Sequence, residues 1–182
     1  MQKIIEALKN NGIVLMPTDT TFGLSALAFE PEAFTKLKGI KKRDPKKTFL
    51  LLVASEAQLQ RLVNVSDLAW DIMDYSEKPV TLIYDDILEV PDYLLSPEGS
   101  IGIRLTRDQN LIKIIQKVGQ PLLSTSANLS GQASPKQFEE ISEEIKKGVD
   151  YIAAEAPLFI PKYESSSIIS LSKTGEIKVL RA

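Results

Sequence analysis

The 182-residue chain has no cysteine and no histidine. Those two gaps remove much of the usual side-chain chemistry. A Ser-His-Asp triad, a Cys-His pair and a zinc site of the usual kind are all excluded. An enzyme built from this sequence works by positioning and fixed charge, through hydroxyl, amide, lysine and arginine groups. The missing cysteine also fits a reducing, cytoplasmic setting. Long apolar runs are lacking too, and none approaches the length that crosses a bilayer, so no membrane partner is expected. The opening segment, MQKIIEALKNNG, has neither the apolar stretch nor the cleavage site of a signal peptide. A hydrophobic share of 43% suffices for a core, and the length suits a single domain over residues 1–182.

Net positive charge is concentrated in one place. The formal net charge is −2. Yet Lys36, Lys38, Lys41, Lys42, Arg43, Lys46 and Lys47 crowd into one short segment against a single acid, Asp44. The segment lies between two apolar stretches, where a loop is expected. A local cationic field on a mildly acidic protein points to an anionic partner, most simply a phosphate. A solvated charged loop fits the same residues.

Apolar periodicity gives a coarse map. Ile4, Ile5 and Leu8 form a helical stripe that Gly12 ends. Residues 13–16 read as a buried strand and 17–24 as a hydroxyl-rich loop. A helix opens at Glu30-Pro31 and runs toward Gly39. FLLLV at 49–53 is uninterrupted by polar residues and reads as a central strand. Ser55 with Gln58 caps a helix ending near Val63, and Ser66 caps another with Leu68, Ile72 and Met73 on its apolar side. Strands follow at 80–84 and 100–105. Asp108 caps a helix carrying Leu111, Ile112, Ile115 and Val118, which Gly119 ends. A strand at 121–125 comes next. Ser134-Pro135 with Gln137 signals a helix through Phe138, Ile141 and Ile145 to Gly148. Residues 150–154 read as a strand, and SSIISL and EIKVL flank a hairpin turn at 172–175. Crossovers and hairpins together predict an α/β fold with a mixed sheet.

Four segments carry chemistry. Pro17-Thr18-Asp19-Thr20-Thr21-Phe22-Gly23-Leu24 follows a strand, where open α/β sheets place ligands; a turn held by its own Asp and Thr side chains is the plainer reading. In the basic loop, Lys41 and Arg43 lie two apart and suit one polyphosphate. Ser124 to Pro135 is a loop dense in hydroxyls that leads into the expected helix start, a place for anions as well as for a serine cap. No GxxxxGK[ST] occurs, so this is not a standard P-loop. Finally, Arg104 sits inside an apolar strand, sharing one face with Gly102. It suits a cleft where it grips a carboxylate by two parallel hydrogen bonds, or else a solvated sheet edge.

Taken together, these segments resemble a known family. PTDTTFGL resembles the P-T-[DE]-T-x-[YF]-G-L signature of the YrdC-like proteins. Lys41-x-Arg43, Ser126-x-Asn128 and STSANLSGQASP resemble that family's K-x-R and S-x-N elements. SIGIRL, KPVTLIY and ESSSIISL match in order and spacing, and the resemblance runs from about Gly12 to Arg181. It implies a twisted open mixed sheet with flanking helices around a basic concave site. It also implies a threonylcarbamoyl-AMP synthase. Such an enzyme joins L-threonine, bicarbonate or CO2 and ATP, with Mg2+, to give L-threonylcarbamoyladenylate and pyrophosphate. The product feeds the N6-threonylcarbamoyl modification of tRNA adenosine 37 through a downstream transferase machinery.

Position by position, the resemblance implies that Thr20, Arg104, Ser124 and Ser166 hold threonine. Lys41, Arg43, Ser126, Asn128 and Ser134 would hold ATP, with Lys41 and Arg43 stabilising the phosphates. Ser100, Lys47 and Arg181 are further nucleotide contacts, and no resident metal site is implied. The chain departs from the pattern at Thr48-Phe49, where many members have Pro-Leu. Leu52 stands near a histidine of some members, and Ser170 stands where an Asp is expected. The chain also stops without the C-terminal extension of two-domain members, leaving Arg181 where chain ends fray. Two alternatives are a YciO-like paralogue with other chemistry and a module that binds tRNA or double-stranded RNA. Only Phe34 and Phe49 flank the basic cluster, few aromatics for stacking on single strands.

Overall fold

The computed structural model describes residues 1–42, 49–163 and 165–182. Its elements are α1 (Gln2–Lys9), β1 (Val14–Pro17), β2 (Phe22–Leu27), α2 (Pro31–Lys41), β3 (Leu50–Val53), α3 (Glu56–Leu62), α4 (Asp67–Tyr75), β4 (Val80–Tyr84), β5 (Ile101–Leu105), α5 (Gln109–Val118), β6 (Leu122–Ser126), α6 (Glu143–Gly148), β7 (Tyr151–Ile152), β8 (Ser167–Leu171) and β9 (Ile177–Arg181). The nine strands form one sheet in the order β7-β1-β2-β6-β3-β5-β4-β8-β9. The pairs β1–β7, β3–β5 and β4–β8 are parallel. The remaining neighbours are antiparallel. The sheet is mixed, as the alternation of elements predicts, and β3 lies at its centre.

Caps set the helix starts. Ser55, Ser66 and Asp108 each accept a backbone N–H of the first turn of α3, α4 and α5. Burial then holds the helices. In α5, Leu111, Ile114 and Ile115 are buried, each contributing roughly 1.5–3 kcal/mol. A ten-residue helix would not persist alone, so this packing decides the matter. In α4 the buried residues are Ala69 and Met73, while Leu68, expected on the apolar side, is exposed.

Strand alternation divides the interior. Leu51 and Val53 of β3, Val80, Leu82 and Tyr84 of β4, and Ile101 and Ile103 of β5 join the larger core. Leu52 points the other way, into a smaller core with Ile4 and Leu8 of α1 and Leu111, Ile114 and Ile115 of α5. On that second face β4 and β5 present Thr81, Ile83, Gly102 and Arg104, which line an open cavity.

Two expectations fail in instructive ways. Residues 17–24 are not one loop, because β2 begins at Phe22 and pairs with β1, leaving residues 18–21 as the connection. No α-helix starts at Ser134. The Pro135 carbonyl accepts Thr21 Oγ1 at 3.0 Å, and the Lys136 N–H goes to Glu140 Oε2 at 2.6 Å. Phe138–Glu140 forms a single 3-10 turn, and the helix begins after Ser142, whose Oγ accepts the Ile145 N–H.

Candidate active site

The cavity has a volume of about 350 Å3 and lies over one end of β2, β3, β4, β5, β6 and β8. Sheet register assembles it. Arg181 pairs with Ile168, and Ile168 with Thr81. One step along, Ile83 pairs with Gly102, Gly102 with Leu50, and Leu50 with Ser124. Residues distant in sequence thus become lateral neighbours. Gly102 leaves the floor open, for a Cβ there would stand 3.3 Å from Thr81 Cγ2.

The loop between β1 and β2 is stiffened from within. Thr18 Oγ1 donates to the Thr21 carbonyl at 2.8 Å and accepts the N–H groups of Thr20 and Thr21. Gly23 permits this, since a Cβ would lie 2.6 Å from Thr18 Cγ2. Thr20, thus fixed, faces the cavity.

Arg104 is 5% exposed. Its Nη1 meets Asp19 Oδ1 at 2.5 Å, and its Nε donates to Thr81 Oγ1 at 3.2 Å. Longer contacts of 3.4 Å reach Thr20 and Ser166. It is therefore not an arginine at a solvated edge. Its fork is also not wholly free for a ligand, because Asp19 already holds one arm. Ser166 Oγ shares a 2.8 Å hydrogen bond with Thr81 Oγ1.

Arg181 comes to the same corner. Its Nε donates to the Ser166 carbonyl at 2.8 Å. Partial burial and the neighbouring Arg104 cation, in that order, lower its pKa from the ordinary value. Its backbone belongs to the β8–β9 ladder, beside an irregularity of register that re-aims side chains. Arg181, next to last in the chain, is therefore a strand residue at the edge of the cavity. Arg181 also stands with Arg104 and Ser166, the residues expected around threonine.

Lys41 ends α2 and is 2% exposed. Its Nζ donates to the Ser126 carbonyl at 2.7 Å, to Asn128 Oδ1 at 3.1 Å and to the Asn128 carbonyl. Asn128 Oδ1 also accepts Ser126 Oγ, and its Nδ2 donates to the carbonyls of Leu129 and Gln132. Lys41 thus meets both ends of the S-x-N element, but it stands with Asn128 behind the cavity lining, to which Ser126 belongs.

Of the residues expected from sequence, Thr20, Arg104, Ser124, Ser126, Ser134, Ser166 and Arg181 line the cavity. Ser100 does not; its Oγ bonds Ser96 Oγ at 2.9 Å in the turn before β5. Arg43 and Lys47 lie outside the described residues. Sequence reasoning missed Asp19 as the partner of Arg104, along with Thr81 and Thr106. Alternation along VTLIY could have placed Thr81 on the Arg104 face.

The family model described as telomere recombination, covering Sua5, YciO and YrdC proteins, matches residues 6–182. A Methanocaldococcus jannaschii protein, provisionally named threonylcarbamoyl-AMP synthase, is 35% identical over 181 residues, spanning 93% of this chain and 85% of that protein. The crystal structure of E. coli YciO superposes with a TM-score of 0.83 at 24% identity, over 98% of this chain and 86% of that one. P. abyssi Sua5 complexed with L-threonine gives 0.75 at 22% identity, over 93% of this chain and 50% of that one. Among the described residues no helix is long and apolar enough to cross a membrane. With a family match across nearly its whole length, the chain belongs to the Sua5/YciO/YrdC family.

Proposed function

We propose that the cavity binds L-threonine and ATP, and that the protein is an L-threonylcarbamoyladenylate synthase. One observation carries this reading. Two guanidinium groups and the hydroxyls of Thr20, Ser124, Ser126, Ser134 and Ser166 converge on one hollow of about 350 Å3. The name borne by the M. jannaschii relative supports it. So does the threonine held by Sua5.

Arg104, with Arg181 beside it, receives the threonine carboxylate, and Thr20 and Ser166 add polar contacts. Ser124 faces the amino-acid body from β6. ATP lies toward Ser126 and Ser134, and Arg43 and Lys47 would add positive charge for its phosphates. The threonine amine attacks the bicarbonate carbon, forming an N–C bond while hydroxide leaves and takes up the amine proton as water. A carbamate oxygen then attacks the α-phosphorus, and the bond to the pyrophosphate oxygen breaks. Nucleophile and electrophile are both anionic. Fixed cations lower their repulsion without any proton transfer by the protein. Mg2+, arriving as part of the nucleotide substrate, would draw charge from the leaving pyrophosphate. Proximity of three small reactants supplies several kcal/mol more. The product passes to a threonylcarbamoyl transferase acting on tRNA, in a cytoplasmic setting.

The deciding test incubates the protein with Mg·ATP, L-threonine and bicarbonate and detects the adenylate by mass. Threonine-dependent formation of adenylate and pyrophosphate is expected. ATP turnover indifferent to threonine would instead assign the chain to a paralogue that shares only the fold.

Gly102 tests the pocket itself. Gly102→Val places two methyl groups in the floor of the cavity while favouring the strand. The expected result is a rise of about tenfold in the threonine KM, ~1.4 kcal/mol, with a lowered Tm because the new Cβ presses on Thr81 Cγ2 at 3.3 Å. Steady-state kinetics and a thermal melt check both halves.

A further inference from the structure

We propose that Asp19 is a positioning residue that sets the orientation of the Arg104 guanidinium, and that Thr106 fixes Asp19 in turn. The inference rests on the placement of the threonine carboxylate at Arg104. It begins with an asymmetry across the wall of the cavity. Arg104 lines the cavity, whereas Asp19 borders a separate hollow with Pro79, Val80 and Leu105. The carboxylate therefore approaches Arg104 from behind, on the side away from the substrate.

Both carboxylate oxygens are used. Oδ1 accepts Arg104 Nη1 at 2.5 Å, and Oδ2 accepts Thr106 Oγ1 at 3.1 Å. Thr106 is itself anchored, for its backbone N–H donates to the Val53 carbonyl and its Oγ1 accepts the Asp108 N–H at the start of α5. A chain of contacts thus runs from β3 and the α5 cap, through Thr106 and Asp19, to the guanidinium. Thr81 pins Nε from β4. With two edges held, the guanidinium plane is fixed and its Nη2 is turned to the corner of Ser166.

Asp19 is not placed as a proton carrier, since neither oxygen reaches the cavity. Its effect on substrate passes through Arg104. An arginine freed of this tether has many rotamers, and only some of them present N–H groups to a carboxylate. Asp19 also offsets one of two neighbouring positive charges, Arg104 and Arg181, that would otherwise push each other apart.

The test uses the full chain and threonine-dependent pyrophosphate release. Asp19→Ala should raise the threonine KM about tenfold, keep the ATP KM within twofold, and leave turnover at saturating threonine near the wild-type value. In an Arg104→Ala background the same change should add nothing. Should Asp19→Ala fail to fold, Thr106→Val keeps the charge, removes one anchor, and should show the same split at about threefold. An unchanged threonine KM, a parallel rise in both KM values, or full additivity with Arg104→Ala would each overturn the proposal. A wild-type protein with no threonine-dependent turnover overturns the reading of the site itself; an active wild type with indifferent Asp19 variants overturns only this inference.

Discussion

Replacement of Arg104 by alanine lowers kcat/KM for threonine by at least about a hundredfold, ~2.7 kcal/mol, while the ATP KM moves by less than threefold. The asymmetry follows from where Arg104 stands. Its hydrogen-bond partners are Asp19, Thr20, Thr81 and Ser166, and neither Ser126 nor Ser134 is among them. A charge-assisted hydrogen bond in so enclosed a place is stronger than one at the surface, so its loss is felt chiefly by the ligand that used it. The substitution also strands Asp19, whose side chain is only 11% exposed. Breaking a buried pair costs about 3–5 kcal/mol, because the remaining charge has lost its partner. For a chain of this length that is a fall of roughly 6–20 °C in Tm. Arg104→Lys separates the two effects. It keeps a charge near Asp19 but loses the planar fork, so stability should recover more than threonine affinity. Initial rates over a threonine series, with a melt of each variant, give the answer. Equal losses toward threonine and ATP would remove Arg104 from the carboxylate.

The parts of this architecture written in local patterns were legible from sequence. Serine and aspartate caps fixed the starts of α3, α4 and α5, and Gly119 fixed the end of α5, where φ is +79°. An uninterrupted apolar run gave β3, and the β-branched and aromatic run VTLIY gave β4. What local pattern does not hold is lateral. The residue opposite Arg104, the approach of Asp19 from the preceding loop, and the Lys41 contact to the Ser126–Asn128 turn are set by strand order, which no periodicity reveals. β2 was missed for a related reason. It is buried along its whole length, and Gly23 and Ser25 interrupt its apolar run. The helix read at Ser134 shows the converse failure. Its signature was sound, but Thr21 and Glu140 took the backbone groups the first turn needed. One long-range and one competing local hydrogen bond outweighed a capping preference worth about 1 kcal/mol.

The cavity residues came through better than the lateral contacts, since the hydroxyls and Arg104 stand in recognisable motifs. Which of them stand side by side was not legible. Arg181 joins the Arg104 corner because the β8–β9 register carries it there. Ser100, one residue before β5, is drawn into a turn with Ser96.

Lys41 carries the second large effect. Lys41→Met should lower Tm by about 4–8 °C, corresponding to a loss of ~2 kcal/mol, and cut threonine-dependent pyrophosphate release by at least about a hundredfold. Methionine matches the length of the stem and packs in the same space, but it cannot donate. The carbonyls of Ser126 and Asn128 and the Asn128 side-chain oxygen then lose the ammonium. Each buried acceptor left without a partner costs about 1–3 kcal/mol, less whatever water recovers. The functional loss is larger than the structural one because of what the ammonium holds. It ties the end of α2 to the turn that presents Ser126 to the cavity. If that tie loosens, the end of α2 and the Ser126 turn both move, and under the proposed function small misplacements of a phosphate are costly in rate. Two measurements distinguish this from a purely electrostatic role. A native melt with lost activity would mean that Lys41 acts on the triphosphate alone. A lowered melt with full activity in the folded protein would mean that the tie serves only the fold. Losses in both, with Lys41→Arg restoring neither because a planar fork does not fit three oxygens around one nitrogen, are what the structure requires.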